Sequence, residues 1–248
     1  MSGNVALITG SSRGIGAKAA LLLAEYGYSI VLNYKNSPDK AERMRSKIKQ
    51  SGVECIAVQA DVSKEDEVLR LFEEVDNLGN LTVLVNNAGV LDKQTKLEHI
   101  SLERFRNVLE VNVLSCFLCT KEAAKRMSTK HGGSGGSIVN VSSGASKTGS
   151  PNEYVDYASS KGAIDTFTRG AAMELASEGI RVNAVRPALI YTDMHATGGD
   201  VNRVERLKGN LPLNRGGTPE EVAEAILWLA MDKSSFVTGS FIDCSGGL

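Results

Sequence analysis

What most narrows the folds open to this chain is a short apolar run that breaks into a glycine turn and then a helix. Val5-Ala6-Leu7-Ile8 lacks polar alternation, as expected of a strand buried on both faces of a parallel sheet. It runs into Thr9-Gly10-Ser11-Ser12-Arg13-Gly14-Ile15-Gly16, and a helical pattern follows through Ile15, Ala19, Leu22, Leu23 and Tyr26. Strand, turn and helix read as the first third of a dinucleotide-binding βαβ unit. Glycines let backbone amides approach a pyrophosphate, and the helix N-terminus offers unpaired N–H groups to the anion. The spacing Gly-x3-Gly-x-Gly departs from the common Gly-x-Gly-x-x-Gly, and a merely tight turn would also use it.

The alternation continues. A second strand, Ser29-Ile30-Val31-Leu32, ends at Asn33-Tyr34-Lys35. An acidic residue at this strand end would accept hydrogen bonds from the adenosine ribose of NAD(H). Here it is Asn33, with Lys35 after it and Arg13 in the glycine turn. Two cations attract a 2′-phosphate, at roughly 1.5–3 kcal/mol per charge-assisted bond. NADP(H) is therefore expected over NAD(H), unless Lys35 simply faces solvent. A charged helix (39–51), strand (53–58), Asp61-Val62, helix (65–76) and strand (81–85) lead to Asn86-Asn87-Ala88-Gly89. Small Ala88 and Gly89 at the C-terminal end of a strand permit close approach of a ligand. A long helix over 102–130 carries Asn112, an unfavourable residue inside a helix. After a Gly/Ser-rich turn at 132–137, strand 138–141 closes on Ser142-Ser143, and strand 180–185 leads to Arg186-Pro187-Ala188. Residues 189–211 have little pattern and read as a substrate lid or disordered loop. A helix (219–230) and strand (239–242) complete a single domain over 1–248.

Composition excludes several classes. The 248 residues carry 28 basic and 29 acidic side chains, so nothing global points to nucleic acid or an anionic membrane. No apolar run approaches membrane-spanning length, and Met1-Ser2-Gly3-Asn4 lacks signal-peptide features, so a cytoplasmic protein is expected. Cys55, Cys116, Cys119 and Cys244 are too sparse for a disulfide framework. Cys116 and Cys119 have redox-motif spacing but lie in an apolar helical pattern, which favours buried helix cysteines. With three histidines and no second cysteine pair, no metal site is expected.

The chemistry centres on Tyr157-Ala158-Ser159-Ser160-Lys161. Residues four apart share a helix face, so Lys161 stands one turn from Tyr157. A phenol has a pKa near ~10, and bringing it to neutrality takes roughly 3 units, or about 4 kcal/mol. One cation at ~5 Å in an effective dielectric of about 20 supplies ~3 kcal/mol. A lysine does most of the work, leaving room for a second cation. An ordinary amphipathic helix would also present these two residues.

Together Thr9-Gly10-x3-Gly14-x-Gly16, Asp61, Asn86-Asn87-Ala88-Gly89, Asn112, Ser143, Tyr157-x3-Lys161 and Pro187…Thr192 stand in the order and spacing of one family. The whole chain resembles the short-chain dehydrogenase/reductase family, in its 3-oxoacyl-carrier-protein reductase-like and glucose 1-dehydrogenase-like branch. The resemblance implies an α/β Rossmann-type doubly wound sheet of seven parallel strands with helices on both faces, in a homotetramer. It implies hydride transfer between NADP(H) and a small-molecule carbonyl or secondary alcohol. Tyr157 would be the general acid/base, Lys161 would lower its pKa, Ser143 (rather than Ser142) would stabilise developing charge, and Asn112 would help hold a proton-relay water. Thr192 and the backbone of Ile190 would fix the carboxamide. Cofactor contacts are implied at Gly10, Ser12, Arg13, Gly14, Ile15, Gly16, Asn33, Tyr34, Lys35, Asp61, Val62, Asn87, Ala88, Gly89, Tyr157, Lys161, Pro187, Ala188, Ile190 and Thr192. Ala188 departs from the family's glycine. Alternatives are a glucose-type sugar dehydrogenase, a 3-oxoacyl-carrier-protein reductase, or, in another class, a silent nucleotide sensor, which would commonly have lost the tyrosine or lysine. Glu153, Asp156 and Glu178, read as lying near the site mouth, argue against an acidic carrier protein. Met194 and His195 in the lid favour an apolar substrate, whereas Asn152 and Glu153 suit a hydroxylated one.

Overall fold

A computed structural model describes residues 4–248. Met1–Gly3, where the reading of a missing signal peptide begins, lie outside the described residues. The apolar runs are strands: β1 (Asn4–Ile8), β2 (Ser29–Tyr34), β3 (Cys55–Gln59), β4 (Asn80–Asn86), β5 (Gly136–Val141), β6 (Ile180–Pro187) and β7 (Phe241–Cys244). They form one sheet in the order β3-β2-β1-β4-β5-β6-β7, with every neighbouring pair parallel. Chain direction across the sheet reverses between β1 and β4. Loops leaving those two strands part from each other and open a crevice at the C-terminal edge.

Side chains alternate across a strand, so one apolar run feeds two cores. Ala6 and Ile8 join Ile30, Leu32 and Val185 on one face, under α1 (Gly14–Glu25) through Ala20 and Leu23. Val5 and Leu7 join Val31, Leu84 and Ile138 on the other face. The charged helix α2 (Pro38–Lys49) buries only Ala41 and Ile48. α3 (Glu65–Leu78) covers the second face with Val68, Leu71 and Phe72, each fully buried. Burial of such a side chain contributes roughly 1.5–3 kcal/mol.

The helix expected over 102–130 is divided. α4 (Leu102–Leu109) passes through a π turn (Glu110–Leu114) into α5 (Ser115–Met127). The reason is Asn112, whose amide is drawn to the Val90 backbone rather than left beside its own helix. Cys116 and Cys119 are buried thiols on α5 outside any disulfide, and burial pushes the Cys116 thiol up to about 12. They are helix cysteines, as expected.

After α6 (Ala145–Thr148), α7 (Val155–Leu175) runs the length of the sheet. The 189–211 stretch is more ordered than expected: it folds as α8 (Met194–Thr197) and α9 (Arg203–Leu207), a cap over the crevice. Arg203 bonds Glu153 through both guanidinium nitrogens, and Tyr154 donates to the Gly198 carbonyl at 3.1 Å. α10 (Pro219–Ala230) returns to the first face with Val222, Ile226 and Leu229. Its start carries a reciprocal Thr218–Glu221 capping box with Pro219 in the first turn. Among the described residues, no helix is long and apolar enough to cross a membrane.

Candidate active site

The crevice holds two adjoining hollows, of about 180 Å³ and about 310 Å³, which share Ile15, Asn87, Gly89, Leu91, Thr192 and Met194. The larger follows the glycine turn. Thr9 accepts the Asn87 and Ala88 amides at 3.0 and 2.9 Å, and the Asn87 side chain donates to the Thr9 and Gly10 carbonyls. Gly10 has φ +61°, and a Cβ on it would meet the Ala88 Cα at 3.0 Å. A Cβ on Gly16 would strike the Asn87 amide, and one on Gly14 would face Thr192 at 3.7 Å. Gly10 and Gly14 leave bare backbone along the hollow, whereas Gly16, expected to touch cofactor, lies off it and lets the turn pack against Asn87.

Ser12, Arg13, Gly14, Ile15, Tyr34, Lys35, Asp61, Val62, Asn87, Ala88, Gly89 and Thr192 all line this larger hollow. Asn33 lines it too, but its amide is committed to structure. It accepts from the Gly10 N–H at 3.2 Å and donates to the Ala60 carbonyl at 3.0 Å. Lys35 is paired at 2.6 Å with Asp61. Burial would raise the Asp61 carboxyl, but bonds from Lys35 and Ser63 outweigh it and hold the group below its ordinary value. Arg13 faces Asp193 at 3.6 Å, and Lys40, absent from the sequence reading, faces the same carboxylate at 3.3 Å.

The smaller hollow brings together Ser143, Tyr157, Lys161, Pro187, Ala188 and Ile190, with Tyr154, His195 and Arg203 from around the cap. Tyr157 and Lys161 share a face of α7, with the ammonium 5.5 Å from the phenol ring centre. Lys161 is buried and donates to the Val141 carbonyl, at the end of β5, at 2.8 Å. Buried Asp156 pins the first turn of α7 to Arg104 of α4 at 2.6 Å. The two serines divide their tasks. Ser142 is buried and donates to Asp165 at 2.6 Å, whereas Ser143 is half-buried on the hollow.

Electrostatics here correct one expectation. Burial pushes the Tyr157 phenol up to about 12, with the Ser143 hydroxyl opposing the rise. Burial also pulls Lys161 down to about 8, opposed by Cys116 and Asp165. With burial the larger influence, the phenol stands above rather than below its ordinary value. The sequence arithmetic left burial out.

The structure adds detail at three further places. The Asn112 side chain accepts from the Val90 N–H at 2.7 Å and donates to the Val90 carbonyl and Ser160, which anchors the segment after Gly89. The Ile190 carbonyl accepts from His195 Nε2 at 2.9 Å, which fixes the proton on that nitrogen and leaves buried Nδ1 without a partner. The supposed acidic mouth is absent. Glu153 is paired with Arg203 and Asp156 is buried on Arg104. Glu178 sits with Lys130 beyond the far end of α7, about 30 Å along a helix of that length. The 132–137 turn runs into the start of β5, at the opposite end of that strand from Ser143. Ala188 lines the hollow, its methyl 3.6 Å from the Cβ position of Gly144.

A reversing parallel sheet with a glycine cradle and a tyrosine–lysine–serine hollow at its C-terminal edge defines a dinucleotide-binding oxidoreductase. A family model described as enoyl-(acyl carrier protein) reductase matches residues 10–248. An uncharacterized oxidoreductase of Escherichia coli, YgfF, is 54% identical over 244 residues, spanning 98% of this chain and 99% of that protein. The 3-oxoacyl-[acyl-carrier-protein] reductase FabG of Staphylococcus epidermidis is 38% identical over 98% of both chains. A dehydrogenase/reductase from Sinorhizobium meliloti superposes with a TM-score of 0.91 at 31% identity, covering 100% of this chain and 95% of its own. Acetoin dehydrogenase YohF from Salmonella typhimurium gives 0.87 at 30%, covering 99% and 96%. The chain belongs to the short-chain dehydrogenase/reductase family of oxidoreductases, which use nicotinamide cofactors.

Proposed function

We propose that the chain is an NADP(H)-dependent oxidoreductase that interconverts a carbonyl and a secondary alcohol on a small molecule, with Tyr157 as general acid/base. The observation that carries this reading is the convergence of Tyr157, Lys161 and Ser143 on one hollow that continues into the glycine cradle. The bare backbone at Gly10 and Gly14, both on the larger hollow, fits a pyrophosphate. A bound nicotinamide supplies the hydride and, when oxidised, a positive ring.

In the reductive direction the Tyr157 hydroxyl delivers its proton to the carbonyl oxygen, and the Ser143 hydroxyl donates a hydrogen bond to the charge developing there. Lys161 lowers the cost of the resulting phenolate. Burial opposes that phenolate by holding the phenol above its ordinary value, so a second positive charge beside it favours the proton transfer. Asn112 is a positioning residue: it holds the Val90 backbone and stands 3.3 Å from the Cβ position of Gly89.

The paired state of Glu153 and Asp156 removes the charge objection to a carrier-borne 3-oxoacyl thioester, so that substrate stands beside sugars, quinones and α-diketones. A cytoplasmic homotetramer fits the exposed apolar residues Leu114, Phe117 and Met173 on α5, its preceding turn and α7; Ile164, by contrast, is core. The deciding experiment is a spectrophotometric screen of these substrates with both nicotinamides. Oxidation of NADPH by at least one carbonyl class is expected. Cofactor binding with no turnover across the panel would replace the enzyme with a nucleotide sensor.

A further inference from the structure

Two cations line the larger hollow, Arg13 and Lys35, and a third, Lys40, stands behind Asp193 on its lining; their pairings differ. Lys35 is held at 2.6 Å by Asp61, a carboxylate kept in place by two bonds from Ser63. Arg13, in the glycine turn, and Lys40, on α2, instead meet at the single carboxylate oxygen Oδ2 of Asp193. That carboxylate follows Thr192, the residue facing Gly14, and comes from the cap rather than the sheet. Two cations from separate elements thus converge on one exposed anion beside the phosphate cradle. All three side chains are roughly half exposed or more, so these pairs are weak and exchangeable.

Resting on the NADP(H) reading above, we infer that Lys40 joins Arg13 as the seat of the adenosine 2′-phosphate, that Lys35 does not, and that Asp193 is a tethered competitor for that seat. A phosphate monoester carries nearly two negative charges and three acceptor oxygens, against the single charge of a carboxylate. It therefore takes both cations from Asp193. A nucleotide without the 2′-phosphate leaves the Asp193 pairs intact and gains nothing from them.

The test uses the whole protein and two fragments that undergo no reaction, 2′,5′-ADP and 5′-AMP, with affinities measured by calorimetric titration. Wild type should bind 2′,5′-ADP about tenfold more tightly than 5′-AMP. Lys40→Ala and Arg13→Ala should each remove most of that preference, while Lys35→Ala should keep it within about twofold. Asp193→Asn should tighten 2′,5′-ADP by about threefold and leave 5′-AMP unchanged. Equal binding of the two fragments overturns this inference and the preference for NADP(H) over NAD(H), and leaves the hydride-transfer reading standing. Loss of preference in Lys35→Ala but not in Lys40→Ala overturns it as well, as does an Asp193→Asn variant that binds both fragments like wild type. Failure of wild type to bind either fragment removes the hydride-transfer reading together with this one.

Discussion

Two arginine–aspartate pairs border the same crevice and behave as different objects. Arg104–Asp156, behind the tyrosine, closes to 2.6 Å with side chains 13% and 1% exposed. Arg13–Asp193, at the nucleotide rim, spans 3.6 Å with side chains 51% and 61% exposed. The charges are the same and the surroundings are not. The inner pair has no water to replace a lost partner, so it fixes α4 against α7 and thereby the first turn that carries Tyr157. The outer pair has water on every side, so it can exchange one anion for another. Burial turns a salt bridge into scaffold; exposure leaves it available for recognition.

The sharpest way to break this contrast is at the inner end. Tyr157→Phe should lower turnover of any substrate the screen identifies by about a thousandfold, through loss of the proton that only this residue supplies. Its affinity for NADPH, followed by fluorescence titration, should stay within about twofold, because the cradle is built from other elements. A variant that kept even a tenth of its rate would place the general acid elsewhere. Next in size, Arg104→Met should destabilise the fold by about 3 kcal/mol in urea unfolding, since it strands the buried Asp156 carboxylate. Adding Asp156→Asn to that variant should recover part of the loss. A null effect would mean water reaches the inner pair after all.

The same contrast explains what the sequence made legible. The strands could be read because parallel burial on both faces leaves uninterrupted apolar runs, and Val5–Ile8 feeds both cores. Tyr157 and Lys161 could be read because helical spacing alone places them on one face. Ser143 over Ser142 follows from the family resemblance alone; its physical reason, the bond that commits Ser142 to Asp165, needs the structure. The rim was the least legible. Lys40 and Asp193 lie 153 residues apart, and no local pattern links them. Glu153, Asp156 and Glu178 looked like an acidic mouth because a linear reading cannot see Arg203, Arg104 and Lys130 beside them. The phenol's pKa is illegible for a related reason: the spacing to a lysine is in the sequence, but the protein that displaces water from both groups is not.

A subtler test concerns the cost of the buried ammonium. Lys161 stands at about 8 in the fold against an ordinary 10.5, so burial disfavours its charged form. Below pH 8 both folded and unfolded chains hold the proton, and the full penalty is present. Between about 8 and 10.5 the unfolded chain binds a proton the native one lacks, so stability rises with pH and the penalty disappears. Lys161→Met should therefore unfold about 2 kcal/mol less readily than wild type at pH 7, after allowing for the lost bond to Val141. The gain should vanish by pH 10.5, while activity is lost throughout. A variant no more stable than wild type at pH 7 would show that the ammonium is solvated in the native state.

The smallest effect is expected at the rim, where it serves as the control for all of these. Asp193→Asn removes the carboxylate shared by Arg13 and Lys40, yet each partner simply regains water, so stability should change by less than about 0.5 kcal/mol. Thermal unfolding of the variant should overlay wild type at 0.15 M salt, where screening already reaches these exposed groups within about 8 Å. A loss above about 1 kcal/mol would mean the cap depends on Asp193 for its place. Inner and outer pairs would then differ only in degree, and an anion arriving at the rim would have to unfold part of the cap to bind.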